Sequence, residues 1–263
     1  MSMMIRSGVA VCAFLAFGFG SALARDPLRI LAFGDSITAS SCYPVRLWRK
    51  MHDEGARFGP VEFTGTRPAD NCGDEQFHGF HSGHNCYSVT WVLIPKGQGN
   101  RKGCGDGNTF VGDVSDLKSW LSNVKFDVVL WHIGTNDTWG SHDTTGLHSA
   151  NVLRAYSVVL DAMRKENPRV VVLVAQLIPN NTAPPPGSVY DLNGRIPDWA
   201  ATKTTETSPI IVVDMYTGFD LAWTRDGVHP NDQGSQWIAD RWFESLSVWA
   251  RMRQGAGTAR PSP

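Results

Sequence analysis

The chain has 263 residues, of which 42% are hydrophobic and 19% charged, and its formal net charge at pH 7 is −1. This length is ample for one α/β domain with a full core, and a second domain is not required. The near-neutral charge argues against nucleic acid or an anionic membrane as a partner, since both attract proteins with a large positive excess.

Residues 1–24 have the pattern of a secretory signal peptide. Arg6 supplies a positive charge, Val9–Gly20 is apolar, and residues 22–24 match an A-x-A cleavage site. A membrane anchor is the alternative, but the apolar run is shorter than the roughly 20 residues that cross a bilayer. We therefore expect a secreted, extracellular protein whose folded domain spans 25–253.

After this leader, strand and helix signals alternate along the chain. Five short apolar runs, rich in β-branched residues and bounded by turn signals, predict buried strands. They are Arg29–Phe33, Val61–Thr66, Phe126–Ile133, Val170–Leu177 and Ile210–Met215. The predicted helices are Tyr43–His52, Val114–Leu121, Leu147–Glu166, Tyr190–Ala201 and Asp232–Arg251. Residues 254–263 have no core-forming pattern and are predicted to be a disordered tail.

This alternation predicts the fold class. It favours parallel strand pairing with right-handed crossovers, and four of the runs are nearly unbroken, as expected for strands covered by helices on both faces. In the third helix an apolar stripe recurs at helical spacing, formed by Val152, Tyr156, Val159, Leu160 and Met163. The prediction is a three-layer α/β/α sandwich with a five-stranded parallel sheet in the flavodoxin-like order 2-1-3-4-5.

The long segment 67–112 departs from this rhythm and holds most of the cysteines. The chain has five cysteines, and removal of the signal peptide with Cys12 would leave four. An even number of cysteines in an exported protein predicts two disulfides among Cys42, Cys72, Cys86 and Cys104. Three pairings are possible, and Cys42–Cys72 with Cys86–Cys104 is favoured. A zinc site is the alternative, although its candidates lack the paired C-x-x-C spacing of structural zinc sites. They are Cys72, Cys86, His78, His81 and His84.

Two loop features are weaker signals. Asp106, Asn108 and Asp113 offer hard oxygen ligands for Ca²⁺, although loops rich in Asp and Asn are common. Asn180 begins an Asn-x-Thr sequence, which is the acceptor pattern for N-glycosylation in a eukaryotic host.

The stretch Ile30–Ser40, ILAFGDSITAS, places a serine directly after the first strand. Gly34 permits a sharp turn there, and ligands of an open parallel sheet bind beyond the carboxyl ends of its strands. Ser36 alone is more typical of a helix N-cap than of a nucleophile. A catalytic role needs a base and a carboxylate from elsewhere in the chain.

The far end of the chain offers both groups. The sequence DGVHP at 226–230 follows the last strand and precedes the last helix, so it lies at the same sheet edge as Ser36. A serine hydroxyl becomes nucleophilic when a histidine takes its proton and a carboxylate fixes the histidine tautomer. His229 and Asp226 are therefore predicted partners of Ser36; a capping Asp and a surface His are the alternative.

An acyl-transfer site also needs hydrogen-bond donors for an oxyanion. Asn136 follows the third strand in HIGTND, so its side-chain amide is expected at the same edge. Gly83, in FHSGH after the second strand, has no side chain to obstruct a substrate, and its backbone N–H is a second candidate. The N–H of Ser36 completes the predicted oxyanion hole.

Together these segments resemble the signature blocks of the SGNH/GDSL hydrolases. GDSIT, the glycine of HSG, GTND and DGVHP occur in the order of that family and over nearly the whole chain after the leader. The resemblance implies the SGNH hydrolase fold, with Ser36, Asp226 and His229 as the catalytic triad and with Ser36, Gly83 and Asn136 as the oxyanion hole. The serine does not lie in the G-x-S-x-G elbow of α/β-hydrolases, which disfavours that fold.

Within this group, FTGTRP followed by a segment rich in His and Gly is similar to carbohydrate esterase family 3, whose members remove acetyl groups from xylan. The resemblance implies a serine esterase that acts on acetylated polysaccharide or oligosaccharide. We expect it to work as a monomer without a metal or organic cofactor. Asp35, His81, Trp139 and Trp223 are candidates for sugar contact, although turn orientation for Asp35 and core packing for tryptophans are the ordinary roles.

The sequence leaves two alternative functions. A lipase or thioesterase of the same fold would act on longer acyl chains, but the loops here are polar and contain no amphipathic lid. A non-catalytic carbohydrate-binding protein is the other, but it has no reason to keep Ser36, Asp226 and His229 together.

Overall fold

The computed structural model describes residues 26–99, 101–102, 109–110, 112–138, 147–181 and 188–258, so the predicted signal peptide lies outside it. The strands are β1 (Leu28–Gly34), β2 (Val61–Thr64), β3 (Arg67–Pro68), β4 (Phe80–Gly83), β5 (Arg101–Lys102), β6 (Thr109–Phe110), β7 (Val128–His132), β8 (Val171–Gln176) and β9 (Ile210–Asp214). The helices are α1 (Ser36–Ala39), α2 (Tyr43–Asp53), α3 (Gly55–Phe58), α4 (Val114–Leu121), α5 (Leu147–Glu166), α6 (Val189–Lys203) and α7 (Asp232–Thr258). Short 3₁₀ turns occupy Val89–Leu93, Asn136–Thr138 and Leu221–Trp223.

The central sheet is parallel along most of its width. β2, β1, β7, β8 and β9 lie side by side in that order, and each neighbouring pair is parallel. This confirms the predicted order 2-1-3-4-5. One edge of β1 is shared, because β2 pairs with Leu28–Leu31 and β4 pairs with the end of the strand, where Gly83 faces Gly34. The short strand β3 runs antiparallel to β4.

Helices cover both faces of the sheet, which confirms the three-layer α/β/α sandwich. Alternate side chains of β1 enter different cores, because Leu31 and Phe33 pack with α4, α5 and α6, whereas Ile30 and Ala32 pack with α1, α2 and α7. The apolar stripe predicted in α5 is buried in the first of these cores. All five residues of β7 are buried, as expected for a strand covered on both faces.

β4 and the end of the last helix are among the elements that differ from the sequence prediction. The pattern of Phe80–Gly83 does not predict β4, because histidine, serine and glycine carry no apolar alternation; the strand forms by pairing with β1 and β3. The last helix continues to Thr258, so the first part of the expected disordered tail is helical, and 259–263 lie outside the described residues. A helix can extend past its packed face because its backbone hydrogen bonds are internal. In the described ranges, no helix is long and apolar enough to cross a membrane.

Cys42 and Cys72 form a disulfide, as favoured from the sequence. It ties the start of α2 to the segment between β3 and β4. Cys86 is also disulfide-bonded, while Cys104, its predicted partner, lies outside the described residues. The zinc alternative is wrong for Cys72, which is committed to Cys42. Among the residues that the structure describes, no cluster of three or more His, Cys, Asp or Glu side chains could hold a metal ion.

A histidine is buried at the end of β7. His132 has no exposed surface and pairs with Gly34 in the β1–β7 register. Neither ring nitrogen has a hydrogen-bond partner in the described part of the chain. Burial lowers the pKa of His132 from 6.5 to about 4, because the charged ring would lose its hydration. Between these two pH values the unfolded chain binds a proton at this histidine that the folded chain does not. The free energy of unfolding therefore decreases as the pH falls through this interval.

We therefore expect His132→Leu to gain stability relative to the parent at acidic pH. As the pH drops from 6.5 to about 4, His132 lowers the free energy of unfolding of the parent by on the order of 3 kcal/mol. Leucine does not titrate, so the variant keeps this free energy. Urea unfolding of both proteins at neutral pH and near pH 4 measures the difference. Leu173→Val, a truncation at a buried position of β8, is the control, since its destabilisation should be equal at both pH values. A pH-independent gap between His132→Leu and the parent would contradict the prediction.

Candidate active site

Ser36 lies at the carboxyl end of β1, as the first residue of α1. Asp35 is the N-cap of this helix, and its Oδ1 accepts a hydrogen bond from the Ile37 N–H at 3.0 Å. Its Oδ2 accepts from the Thr135 N–H, just beyond β7, at 3.3 Å. Burial raises the pKa of Asp35 to about 6, although both N–H groups oppose the shift. The Asp35 carboxyl group thus ties the turn that carries Ser36 to the neighbouring strand.

Two glycines let α1 approach the sheet closely. A Cβ on Gly34 would lie 2.1 Å from Thr38 Oγ1 and 2.3 Å from the His132 carbonyl oxygen. A Cβ on Gly83 would lie 2.6 Å from the backbone nitrogen of Ala39. The expected reason for Gly83, that a side chain would obstruct the substrate, is therefore corrected, because the side chain would first collide with α1.

The loop before α7 carries Asp226 and His229. Asp226 Oδ1 accepts hydrogen bonds from the backbone N–H groups of Val228 at 3.1 Å and His229 at 2.8 Å, so the carboxylate organises its own loop. Gly227 has a φ of +84°, a left-handed conformation that favours glycine. A Cβ at this position would also lie 2.4 Å from the Asn181 amide nitrogen. The loop conformation therefore requires both the aspartate and the glycine.

This loop brings the three predicted triad residues into one hydrogen-bonded row. His229 Nε2 lies 2.9 Å from Ser36 Oγ, and His229 Nδ1 lies 2.7 Å from Asp226 Oδ2. Partial burial raises the pKa of Asp226, but the hydrogen bonds from His229 and Val228 outweigh it and lower the pKa to about 2. Asp226 is therefore a carboxylate near neutral pH and can hold the imidazole as its Nδ1–H tautomer. The arrangement can move a proton from the serine hydroxyl to the imidazole.

Asn136 begins the 3₁₀ turn after β7. One N–H of its side-chain amide donates to the Tyr87 carbonyl at 3.1 Å, which orients the group and leaves the second N–H for another acceptor. The carboxylate of the buried Asp137 accepts from the backbone N–H groups of Val89 at 2.8 Å and Thr90 at 3.0 Å. Asp137 therefore fixes a neighbouring turn, the structural role that is ordinary for such a residue.

The backbone N–H of Gly83 is already engaged. It donates to Nδ1 of His81, on the same strand, at 2.8 Å. His81 is buried, and burial lowers its pKa to about 4, so the ring is neutral and Nδ1 can accept. The expectation of a free oxyanion donor at Gly83 is thus corrected, because this N–H must be shared with His81 or taken from it. The same contact assigns His81 to the support of β4 and not to a sugar.

The other candidates for sugar contact have structural roles or lie outside the structure. Trp223 is partly buried and packs against Phe219 and Trp237 at the border of the core, with ring centroids 5.6 and 5.4 Å apart. Asp35 has no exposed surface, so the prediction that it contacts the substrate is wrong. Trp139 lies outside the described residues.

The structure describes only part of the proposed Ca²⁺ site and of the glycosylation sequence. The side chain of Asp113 accepts the Ser115 N–H at 2.7 Å as the N-cap of α4. Asp106 and Asn108, the other proposed Ca²⁺ ligands, lie outside the described residues. The amide nitrogen of Asn180, which would carry a glycan, is buried.

A profile of the GDSL-like Lipase/Acylhydrolase family matches residues 32–237, which is most of the chain. The match includes every residue of the predicted triad and oxyanion hole. The chain belongs to the GDSL-like lipase/acylhydrolase family. This confirms the resemblance inferred from the four sequence blocks, and it identifies the protein as a carboxylic ester hydrolase. A comparison with curated proteins finds no match.

Solved structures place this family member near carbohydrate esterases. An acetyl esterase crystallised with an acetate ion is 26% identical, with a TM-score of 0.68 over 86% of this chain and 99% of its own. A carbohydrate esterase family 3 protein from Talaromyces cellulolyticus is 27% identical, with the same TM-score and coverage. A family 3 carbohydrate esterase from Clostridium thermocellum is 21% identical, has a TM-score of 0.60 over 86% of this chain and 98% of its own, and shares the fold.

Sequence reasoning missed several contacts that build this site. It did not find β4, the hydrogen bond between His81 and Gly83, or the link from Asp35 to Thr135. The one available signal was the two-residue spacing of His81 and Gly83, which puts both on one face of a strand once the strand is known. The Asp35 contact joins residues that only strand pairing brings together.

The close approach of α1 leads to a testable prediction for this esterase. Gly83→Ala should displace α1 and so separate Ser36 from His229, which we expect to cost about 1–3 kcal/mol of stability and to lower kcat for p-nitrophenyl acetate by about 100-fold. Thermal unfolding and ester hydrolysis measure both effects.

Gly194→Ala is the matched control, because a Cβ there meets nothing within 4 Å. This exposed position of α6 should keep the parent activity and gain slightly in helix stability. Parent-like hydrolysis by Gly83→Ala would show that the contact with α1 does not set the position of Ser36.

Proposed function

We propose that this esterase removes short acyl groups, with acetyl preferred, from carbohydrate by a Ser36–His229–Asp226 triad. The observation that carries the proposal is the hydrogen-bonded row itself, in which the serine hydroxyl, the imidazole and the carboxylate lie 2.9 and 2.7 Å apart. No metal or organic cofactor takes part in the proposed reaction.

The reaction proceeds through an acyl-enzyme. His229 Nε2 removes the hydroxyl proton of Ser36 as Oγ forms a bond with the ester carbonyl carbon, and Asp226 stabilises the imidazolium that results. When the tetrahedral intermediate collapses, His229 returns the proton to the departing sugar oxygen. Water then repeats the sequence on the acyl-serine, which releases the carboxylic acid and the free Ser36.

The oxyanion is held by groups at the start of α1 and after β7. The Ser36 N–H is the first of its helix and therefore has no intrahelical acceptor. The second N–H of the Asn136 amide, oriented by the bond to Tyr87, is the other donor. Gly83 contributes when the oxyanion competes with neutral His81 for its N–H, and a developing negative charge is the stronger acceptor.

Several observations support carbohydrate as the substrate class. The acetyl esterase and the Talaromyces cellulolyticus carbohydrate esterase are similar to this chain at 26% and 27% identity over 86% of its length. The polar loops favour a small acyl group over a long apolar one. Acetylated xylan or its oligosaccharides are the proposed substrate, handled by a monomer.

We further propose that the protein acts outside the cell. Residues 1–24 have the features of a signal peptide. The disulfide between Cys42 and Cys72 supports this location, because such bonds persist in oxidising compartments.

Ser36→Ala tests the mechanism directly. The variant should lose turnover of p-nitrophenyl acetate by roughly 10⁶-fold and should unfold close to the parent temperature, since the change removes one partly buried oxygen and its hydrogen bond to His229. A fluorophosphonate probe should label the parent and not the variant. Ser119→Ala, on α4, is the control and should behave as the parent in both assays. Hydrolysis by Ser36→Ala at the parent rate would reject the triad and with it the proposed function.

A lipase or thioesterase activity is the competing function, and the length of the acyl chain separates the two. We expect kcat/KM to fall from p-nitrophenyl acetate to butyrate to octanoate, because polar loops favour a small acyl group over a long apolar one. Release of acetate from acetylated xylan, compared with other acetylated glycans, then identifies the sugar. A preference for octanoate would overturn the assignment to acetyl groups and leave the triad untouched.

A further inference from the structure

A second chain of contacts, besides the triad, joins the loop of the base to the helix of the nucleophile. Arg225 donates its backbone N–H to the His229 carbonyl at 2.8 Å. Its guanidinium Nη2 donates to the carbonyl oxygen of Ser40 at 3.3 Å and to the Ser40 hydroxyl at 3.2 Å. Ser40, directly after α1, in turn donates its N–H at 2.9 Å and its hydroxyl at 2.8 Å to the Ser36 carbonyl. The ring closes through Ser36 Oγ and His229 Nε2.

The Arg225 guanidinium contacts the neutral oxygens of Ser40. The ion pairs of the described residues do not include this guanidinium. Holding a long exposed side chain in one place costs conformational entropy, so the contacts with Ser40 must supply the free energy that keeps it there. A charged donor on a neutral acceptor is among the stronger hydrogen bonds available at a surface.

We propose that Arg225 and Ser40 are positioning residues, which set the distance between His229 and Ser36. This inference rests on the proposed function. Asp226 orients the imidazole relative to its own loop, whereas Arg225 and Ser40 hold that loop against α1. Because misplacement of a reacting group by about 1 Å can cost about 100-fold in rate, a link of this kind is worth a measurable fraction of turnover.

Loss of the link should lower kcat and leave substrate binding unchanged. We expect Arg225→Met to reduce kcat for p-nitrophenyl acetate by about tenfold, with KM within about twofold of the parent. Ser40→Ala should reduce kcat by less, because it removes the hydroxyl and keeps the carbonyl oxygen that also accepts from Arg225. The double variant should be no slower than Arg225→Met alone, since the Ser40 hydroxyl acts on the loop through the guanidinium that Arg225→Met already removes. Both side chains are exposed, so the variants should unfold at the parent temperature.

Arg225→Lys separates position from charge. Lysine keeps the positive charge but has a different reach and donor geometry, so the positioning role predicts a loss of kcat close to that of Arg225→Met, with no displacement of the pH profile. Arg195→Gln is the matched control for loss of an exposed arginine, because this residue pairs with Asp191 on α6; it should keep the parent kcat.

These experiments distinguish a failure of the positioning role from a failure of the proposed function. If Arg225→Met keeps the parent kcat, if Arg225→Lys does so, or if the double variant is slower than Arg225→Met alone, the positioning role is wrong. If these variants have parent rates while Ser36→Ala is inactive, only the positioning role fails. If Ser36→Ala is active, the triad itself fails, whatever the other variants do.

Discussion

The site depends on how closely α1 approaches the ends of β1 and β4. Neither Gly34 nor Gly83 has room for a Cβ, because the atoms of α1 and of the β7 backbone occupy that space. With α1 pressed against the sheet, the Ser36 hydroxyl stands at the carboxyl edge, 2.9 Å from the imidazole of His229. Contact between backbones leaves little freedom of movement, and a reaction that needs a defined distance between a hydroxyl and a base benefits from that rigidity.

Two aspartates near Ser36 show how the environment of a carboxyl group determines its pKa. Asp35 is adjacent to Ser36 in sequence but fully buried, and burial raises its pKa to about 6. Asp226 is distant in sequence and partly exposed, and the hydrogen bonds from its own loop outweigh its burial and lower its pKa to about 2. The first therefore serves as a hydrogen-bond acceptor that shapes a turn, and the second as a lasting negative charge beside an imidazole. The pKa of each carboxyl group follows from the balance of lost hydration and received N–H groups.

Much of the fold could be predicted because its signals are local. The apolar runs and the stripe on α5 identify strands and a helix, and alternation of the two implies a parallel sheet. The order 2-1-3-4-5 is one of the common orders for such sheets, and the structure has it. β4 could not be predicted, since its four residues become a strand only by pairing with β1 and β3. The same limit applies to Gly83: its sequence context predicts an N–H open to the substrate, whereas in the structure this N–H donates to His81 and the missing side chain makes room for α1.

By itself, the sequence determined the element order, the family and the residue types that meet at the carboxyl edge, because chain order and hydrophobic pattern constrain which strand ends lie together. Only the tertiary structure decided which nearby polar groups face the site and which face the core. Asp35 and His81 are indistinguishable from site residues in the sequence, yet both are buried and bonded to backbone N–H groups. The contact of Arg225 with Ser40 spans 185 positions and carries no sequence signal. Burial and such contacts arise from the packing of distant segments, which a local pattern cannot encode.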